Sequence, residues 1–258
     1  MSDDVTLSVA RGVATLSLDR EEKRNAVTYD MWVSIGEYCR RLARDPEVRV
    51  LVVRGAGGHF CAGADIGGLQ SADRFYGEAN LEAETALMEF PKPTIAFIRG
   101  VCVGGGVQIA TACDLRIADA TARFGVTPAR LGVIYPAAAL ARLVKLTSTS
   151  AAKHLLYSAE LITAERALRI GLIDELHEPD EAVARLQTFV TLLAEERSPL
   201  TQAASKEMID AVVADGRVGE ACTARWAEEL AAADDPKEGV AAFLARRPPH
   251  FTWTPHHR

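Results

Sequence analysis

Apolar and polar positions alternate near the start of the chain, over residues 5–9 and 13–18, with Arg11-Gly12 between the two runs. This period of two predicts a β-hairpin with one buried face. Apolar runs at 48–53 and 94–98 are uninterrupted enough to predict two strands of a buried core. Glycine-rich loops follow both of these runs, which is typical of strands that lead into helices.

Helical spacing of apolar side chains begins after Thr28, a residue that can cap a helix, and continues to about residue 44. A second helix is predicted at 73–89. Strand, glycine loop and helix recur in this way over the first 190 residues, which predicts an α/β core with crossover helices. From about residue 180 the pattern is purely helical, with predicted helices at 180–196, 199–214, 217–233 and 236–247. We therefore predict a core at 1–190 and a helical region at 191–258, whose last residues, 248–258, are expected to be disordered.

Composition places the chain among ordinary soluble proteins. It has 258 residues, of which 48% are hydrophobic and 25% charged, and a net charge of −6. This acidity disfavours a nucleic-acid partner, and no apolar run approaches the roughly 20 residues of a membrane helix. The start, Met1-Ser2-Asp3-Asp4, does not resemble a signal peptide, and the five cysteines form no CxxC pair. These features predict a cytoplasmic protein without a membrane or nucleic-acid partner and without a bound metal.

Two glycine loops carry the chemistry that the sequence suggests. One runs from Cys61 through Gly63, Ala64 and Asp65 to Ile66, and the other is Gly104-Gly105-Gly106 before Gln108. The second loop opens a predicted helix, so its free N–H groups favour a negatively charged oxygen. If the two loops converge, their amides form an oxyanion hole; glycine turns with a purely structural role remain an alternative. Dinucleotide, P-loop, serine esterase and zinc protease motifs are absent from the sequence.

Several motifs, in their order and spacing, resemble the crotonase superfamily of enoyl-CoA hydratases and isomerases. They are Lys23-Arg24-Asn25-Ala26, Phe60 to Ile66 (FCAGADI), Lys92 to Phe97 (KPTIAF), Gly104-Gly105-Gly106, Ala112-Cys113-Asp114 and Glu238-Gly239. The resemblance implies a spiral β-β-α core and a helical C-terminal trimerisation region. It also implies trimers that pair into hexamers, and an acyl-CoA substrate that brings coenzyme A as the only cofactor-like group.

Residues of the site follow from the same resemblance. The oxyanion hole would be the N–H groups of Ala64 and Gly105, which would stabilise the enolate of a thioester. Contact with the pantetheine and adenine of coenzyme A is implied for Arg24, Ala26, Ala62, Ala64, Asp65, Ile66 and Gly67. Phe243 and Arg246 match positions that touch the nucleotide from a neighbouring subunit, although core packing of Phe243 and a solvated helix end at Arg246 are equally good explanations.

The chain departs from the hydratases at their two catalytic glutamates. The first position holds Gln108 and the second Pro128, and a third carboxylate position, used by some isomerases, holds Pro136. Glutamine orients a substrate by hydrogen bonds but is not a general base. The segment that contains Thr127 and Tyr135 partly resembles methylmalonyl-CoA decarboxylases, in which loss of CO₂ forms the enolate without a base. We therefore favour decarboxylation of a malonyl-type acyl-CoA, with Tyr135 as acid and Thr127 binding the carboxylate.

Three alternatives remain open at this point. One is an atypical hydratase that adds water to a 2-enoyl-CoA, and another is an isomerase. The third is a protein that binds acyl-CoA without catalysis. Convergence of Thr127 and Tyr135 on the two amides would favour catalysis over mere binding.

Overall fold

The computed structural model describes residues 1–65, 67 and 74–254, apart from the side chains of Arg74 and Phe75. Within these residues the strands are β1 Val5–Ala10, β2 Val13–Leu18, β3 Val50–Gly55, β4 Thr94–Ile98, β5 Val101–Val103, β6 Leu115–Asp119, β7 Arg123–Gly125, β8 Ile162–Thr163 and β9 Glu175–His177. The α-helices are α1 Tyr29–Ala43, α2 Arg74–Met88, α3 Gly105–Ala112, α4 Pro128–Leu131, α5 Ala137–Leu146, α6 Thr149–Ser158, α7 Ala164–Arg169, α8 Pro179–Glu195, α9 Pro199–Asp215, α10 Glu220–Ala232 and α11 Asp235–Ala245. The structure is therefore α/β, with a helical C-terminal region, as the sequence predicts.

The main sheet contains six strands in the order β1-β2-β3-β4-β6-β9. β1 and β2 form an antiparallel hairpin, and every other neighbouring pair is parallel. A second, three-stranded sheet has the order β5-β7-β8. Because β3 and β4 are parallel neighbours, the loops that follow them leave the same edge of the sheet. The two glycine loops then meet through a parallel bridge between Cys61, at the start of the first loop, and Cys102 of β5, the strand that leads into the second loop.

The core lies on both faces of the main sheet, since successive side chains of a strand point in opposite directions. Leu51 and Val53 of β3 join the larger cluster, which contains residues of α1, α2 and α3. Val50 and Val52 join a smaller cluster on the other face, where Ala182 and Val190 of α8 cover the sheet. This two-sided burial explains the uninterrupted apolar run of β3.

Caps fix the ends of several helices. Thr28 accepts a hydrogen bond from the amide of Met31 through its side chain, and α1 begins at the next residue, as predicted. Ser148, Thr163 and Ser198 cap α6, α7 and α9 in the same way. The predicted hairpin, the two buried strands and the four C-terminal helices are confirmed to within a few residues.

The predicted disorder at 248–258 is wrong for 248–254, and residues 255–258 lie outside the described residues. The amides of Thr252 and Trp253 donate to Asp235, and the Trp253 ring packs against Trp226 with centroids 6.1 Å apart. Arg49 also donates from Nη2 to the carbonyl oxygen of Phe251 at 3.1 Å. These contacts hold the segment on the surface of the core. The predicted domain boundary at residue 190 lies within α8, and the division into core and oligomerisation region stays a prediction.

Cysteines serve as small apolar side chains in this core. Cys39, Cys61, Cys102 and Cys113 are buried and free, and Cys222 is half-buried and free. Burial raises the pKa of Cys39 and of Cys61 to about 12, so both thiols remain protonated. In the part of the chain that the structure describes, no helix is long and apolar enough to cross a bilayer.

Candidate active site

The first glycine loop is fixed between two other segments by backbone hydrogen bonds. Cys61 pairs with β5, since its amide donates to the Val101 carbonyl and its carbonyl accepts from Val103, both at 2.9 Å. On the other side, Val27 donates to the Gly63 carbonyl at 2.7 Å and accepts from the Asp65 amide at 2.9 Å. The loop is therefore held on both edges, like a short strand, and Ala64 lies at its centre.

Two amide nitrogens lie close together where this loop meets the start of α3. A Cβ added to Gly105 would lie 3.3 Å from the amide nitrogen of Ala64. A Cβ added to Gly63 would lie 3.7 Å from the amide nitrogen of Gly105. Among the described residues, neither the Ala64 nor the Gly105 amide donates a hydrogen bond. Gly105 is also the first residue of α3, where the helix dipole favours a negative charge.

Glycine is required at this junction because the backbones approach closely. Gly104 has a φ of 53° and Gly63 a φ of 108°, which side-chain-bearing residues rarely adopt. A Cβ at Gly106 would lie 2.6 Å from the Cys61 carbonyl oxygen, well inside van der Waals contact. The glycine run thus allows α3 to begin directly against the first loop, and the sequence prediction that the two loops converge is consistent with this geometry.

A polar cluster lines the next turn of α3. Gln108 is buried, and its Oε1 accepts a hydrogen bond from Nδ2 of Asn80 at 3.1 Å. One turn further along α2, Glu84 pairs with Arg142 of α5. The other carboxylate oxygen of Glu84, Oε1, is buried and has no hydrogen-bond partner among the described residues. Burial raises the pKa of Glu84, while Arg142 and Asn80 oppose that shift.

Tyr135 lies beside this cluster. It is buried, and its hydroxyl donates a long hydrogen bond, 3.4 Å, to the carbonyl of Gly104, the residue before Gly105. Burial, together with the negative charge of Glu84, raises the pKa of Tyr135. Thr127, in contrast, precedes the short helix α4 and makes no side-chain capping hydrogen bond. The structure therefore brings Tyr135 to the start of α3. Thr127 lies beside Gly125, whose carbonyl accepts from the Gly104 amide, and the predicted role of Thr127 stays a prediction.

Residues predicted to bind coenzyme A surround the first loop. Arg24 is exposed, with its carbonyl bonded to the Ala62 amide at 2.9 Å, and Ala26 is half-buried. Asp65 accepts from Arg20 at 2.5 Å and from the Gly67 amide at 2.9 Å. The Arg20 hydrogen bond lowers the pKa of Asp65, so this carboxylate is occupied in holding the loop. Ile66 lies outside the described residues.

Phe243 and Arg246 lie on α11 and just beyond it. Phe243 is 83% exposed, which excludes core packing of its ring in the isolated chain. Arg246 is the C-cap of α11, with a φ of 51°. Neither side chain contacts the glycine loops within the described part of this chain, so their predicted role toward a neighbouring subunit stays a prediction.

Sequence reasoning missed Asn80, Glu84 and Arg142. A signal for the first two was present, because they lie four residues apart on α2, among the buried Ala79, Ala83 and Leu87. Polar residues on the apolar face of a helix are unusual and indicate a buried polar contact. Arg142 carries no comparable signal, since its partner comes from a distant helix. No group of three metal-ligating side chains was found among the described residues.

Comparisons with known proteins agree with one another. A profile of the enoyl-CoA hydratase/isomerase family matches residues 8–254. A crotonyl-CoA hydratase of Syntrophomonas wolfei is 30% identical, over 96% of this chain and 98% of its own length. An (E)-benzylidenesuccinyl-CoA hydratase of Thauera aromatica is 32% identical, over 96% and 98%. The crystal structure of an enoyl-CoA hydratase/carnitine racemase from Magnetospirillum magneticum has a TM-score of 0.93 at 28% identity, and covers 98% of this chain and 96% of that one.

Proposed function

Because the chain belongs to the enoyl-CoA hydratase/isomerase family, we propose that it converts an acyl-CoA through a thioester enolate stabilised by the amides of Ala64 and Gly105. The observation that carries the proposal is that these two amides are adjacent and donate to no described acceptor. An enolate places negative charge on the former carbonyl oxygen, and preorganised donors stabilise that charge as it forms. Each such donor typically lowers the activation barrier by about 3–4 kcal/mol.

The proposed reaction is addition of water to a 2-enoyl-CoA. Relatives about 30% identical to this chain carry hydratase names. Gln108 and Asn80 present amide groups beside the enolate site, and such groups orient water or a carbonyl. Glu84 adds a carboxyl group to the same cluster, and a carboxyl group is the kind of general base that hydration needs. The reaction needs no cofactor beyond the coenzyme A of the substrate.

Decarboxylation of a malonyl-type acyl-CoA is the second candidate, and the position of Tyr135 favours it. Its hydroxyl lies at the Gly104 carbonyl, one residue from the Gly105 amide, where an acid could protonate an enolate carbon. The same interpretation requires Thr127 for binding the carboxylate, but the Thr127 side chain makes no capping hydrogen bond that would fix its orientation. Decarboxylation therefore rests on a single residue.

The proposed assembly is a trimer or a pair of trimers, with Phe243 and Arg246 reaching the nucleotide of a neighbouring subunit. The exposure of Phe243 supports this proposal. A cytoplasmic location is proposed because all five cysteines are free thiols, which a reducing compartment maintains.

A turnover assay followed by mass spectrometry tests the function. Crotonyl-CoA and methylmalonyl-CoA are offered separately to the wild type, to Gly105→Ala and to Tyr135→Phe. We expect water to be gained on crotonyl-CoA, and we expect Gly105→Ala to lower kcat by about 10²-fold or more, since its methyl group would occupy the space beside the Ala64 amide.

Gly239→Ala is the matched control, because a methyl group there meets only Phe251 ring atoms, at an ordinary 3.5 Å. If the wild type releases CO₂ from methylmalonyl-CoA and Tyr135→Phe does not, the proposed reaction is decarboxylation and not hydration. Tight binding of both thioesters with turnover of neither would establish an acyl-CoA-binding protein instead.

A further inference from the structure

A reaction that moves protons needs a titratable group, and the positions where the family carries glutamates hold Gln108 and Pro128. Three carboxylates are buried in the described part of the chain: Glu84, Asp119 and Asp235. Asp119 is occupied by Arg99 and Thr121. Asp235 is occupied by Ser198 and the amides of 252 and 253. Glu84 alone of the three retains an oxygen without a hydrogen-bond partner.

The surroundings of Glu84 connect it to the oxyanion hole. Asn80 precedes it by one helical turn, so both side chains lie on the same face of α2. Asn80 is bonded to Gln108 at 3.1 Å, and Gln108 lies three residues after Gly105 in α3. On the opposite side Tyr135 bonds to the Gly104 carbonyl and is influenced by the charge of Glu84. The carboxyl group thus belongs to the polar cluster beside the two free amides.

The pairing with Arg142 leaves Glu84 able to change its charge. Arg142 contacts one carboxylate oxygen only, Oε2, while Oε1 is buried and unpaired. A buried ion pair stabilises the fold most when every oxygen and N–H group of the pair is hydrogen-bonded. In this pair Nε of Arg142 is also without a partner among the described residues. The charged and titratable groups that face Glu84 are Arg142, from α5, and Tyr135, from the segment before α5.

We propose that Glu84 is the proton-carrying carboxyl of this site and alone does the work that the family divides between two glutamates. The proposal rests on the function proposed above. In water addition, the Glu84 carboxylate accepts a proton from water as the water oxygen bonds to the β-carbon. The electrons of the C=C bond move to the thioester oxygen, which Ala64 and Gly105 stabilise. The carboxyl then returns its proton to the α-carbon as the carbonyl re-forms, so that H and OH are added and Glu84 is again a carboxylate.

The test compares Glu84→Gln and Glu84→Asp with the wild type. Crotonyl-CoA hydration is measured from pH 5 to 9, and free energies of unfolding are measured in urea. Glu82→Gln is the matched control, since Glu82 lies on the same helix and is exposed. We expect Glu84→Gln to lower kcat by 10²- to 10⁴-fold with KM nearly unchanged, the range for a lost general base. We expect Glu84→Asp to recover part of the loss.

The pH profile separates catalysis from a structural role. Burial raises the pKa of Glu84, so wild-type kcat/KM should fall on the acid side at a pH above that of an ordinary glutamate, and Glu84→Gln should lack that fall. Full activity of folded Glu84→Gln would overturn the assignment of Glu84 and leave the proposed function intact. A third outcome is that Glu84→Gln loses activity and stability together but keeps the fall of kcat/KM at low pH. That outcome would show that Glu84 is only a structural partner of Arg142. Failure of the wild type to hydrate crotonyl-CoA would instead overturn the proposed function.

Discussion

Asn25 shows how one side chain positions the backbone beside the first glycine loop. It is fully buried and has a φ of 60°, a left-handed conformation that asparagine tolerates better than most residues. Its Oδ1 accepts from the Arg20 amide at 2.9 Å, and its Nδ2 donates to the carbonyls of Ala56 and His59. These bonds fix the turn that carries Arg24, whose carbonyl holds the first glycine loop.

Replacement Asn25→Asp tests this role. The carboxylate keeps the shape of the side chain but removes both N–H donors, and it faces two carbonyl oxygens with negative charge. We expect the free energy of unfolding at pH 7 to fall by about 2–4 kcal/mol, since a buried acceptor without a partner costs about 1–3 kcal/mol. Urea unfolding of both proteins measures the difference. A change below about 1 kcal/mol would contradict the role given to Asn25.

At the residue scale, sequence predicts backbone groups of the site better than its side chains. The two glycine loops follow from local motifs, because a glycine loop at a strand end defines its own geometry, and the roles of Ala64 and Gly105 within them come from the family resemblance. Glu84 and Arg142 come together through packing of α2 against α5, which no local pattern records. The proposed role of Thr127 rests on likeness of sequence alone and stays a prediction.

Helix α2 is the element that presents Asn80 and Glu84 to the site, and its packing on α1 sets their position. Ala83 is fully buried, and a Cβ at Gly36 of α1 would lie 3.6 Å from the Ala83 Cα. Small residues on both helices therefore permit a close approach of their backbones. The sequence predicted both helices and nearly their ends, but the distance between them depends on the small residues at their contact.

Enlarging this contact should displace the polar face of α2. We expect Ala83→Leu to lower the free energy of unfolding by about 1–3 kcal/mol through overpacking, and to lower hydration of crotonyl-CoA more than that loss of stability explains. Leu81→Ala, at a half-exposed position of the same helix, should change stability by less than about 0.5–1 kcal/mol and leave turnover unchanged. Urea unfolding and initial rates measure both effects. Equal turnover in Ala83→Leu and the wild type would show that α2 does not position the site.

At the scale of the whole molecule, the C-terminal helices expose large apolar side chains to solvent. Large apolar side chains are exposed on α9 and α11, among them Ile209, Val213, Val240, Phe243 and Leu244. Exposed apolar side chains in such numbers are typical of interaction surfaces, because burying them against a partner removes apolar area from water. The helical pattern of the sequence predicted these helices. The number of subunits in an assembly depends on the angle at which two such surfaces meet, which no local pattern records.

Self-association is therefore expected in solution. Sedimentation equilibrium should give a mass close to three or six times that of the 27.8 kDa chain. The double change Phe243→Ser and Leu244→Ser should shift the distribution toward smaller species and raise KM for the CoA thioester, since Phe243 is proposed to reach a neighbour's nucleotide. A wild-type monomer with full activity would contradict both the assembly and the shared site.

The hydrogen bond from Arg49 to the Phe251 carbonyl has a consequence for the order of events during synthesis. It joins Arg49, the residue before β3, to Phe251, which lies 202 positions later in the chain. During synthesis the hairpin, the parallel sheet and the glycine loops, which all lie within residues 1–177, leave the ribosome before residue 251 does, so this hydrogen bond forms after they have emerged. Contacts of such long sequence separation form late and carry a large loop-closure cost. The sheet and the glycine loops can thus fold before the segment around Phe251 packs against Arg49.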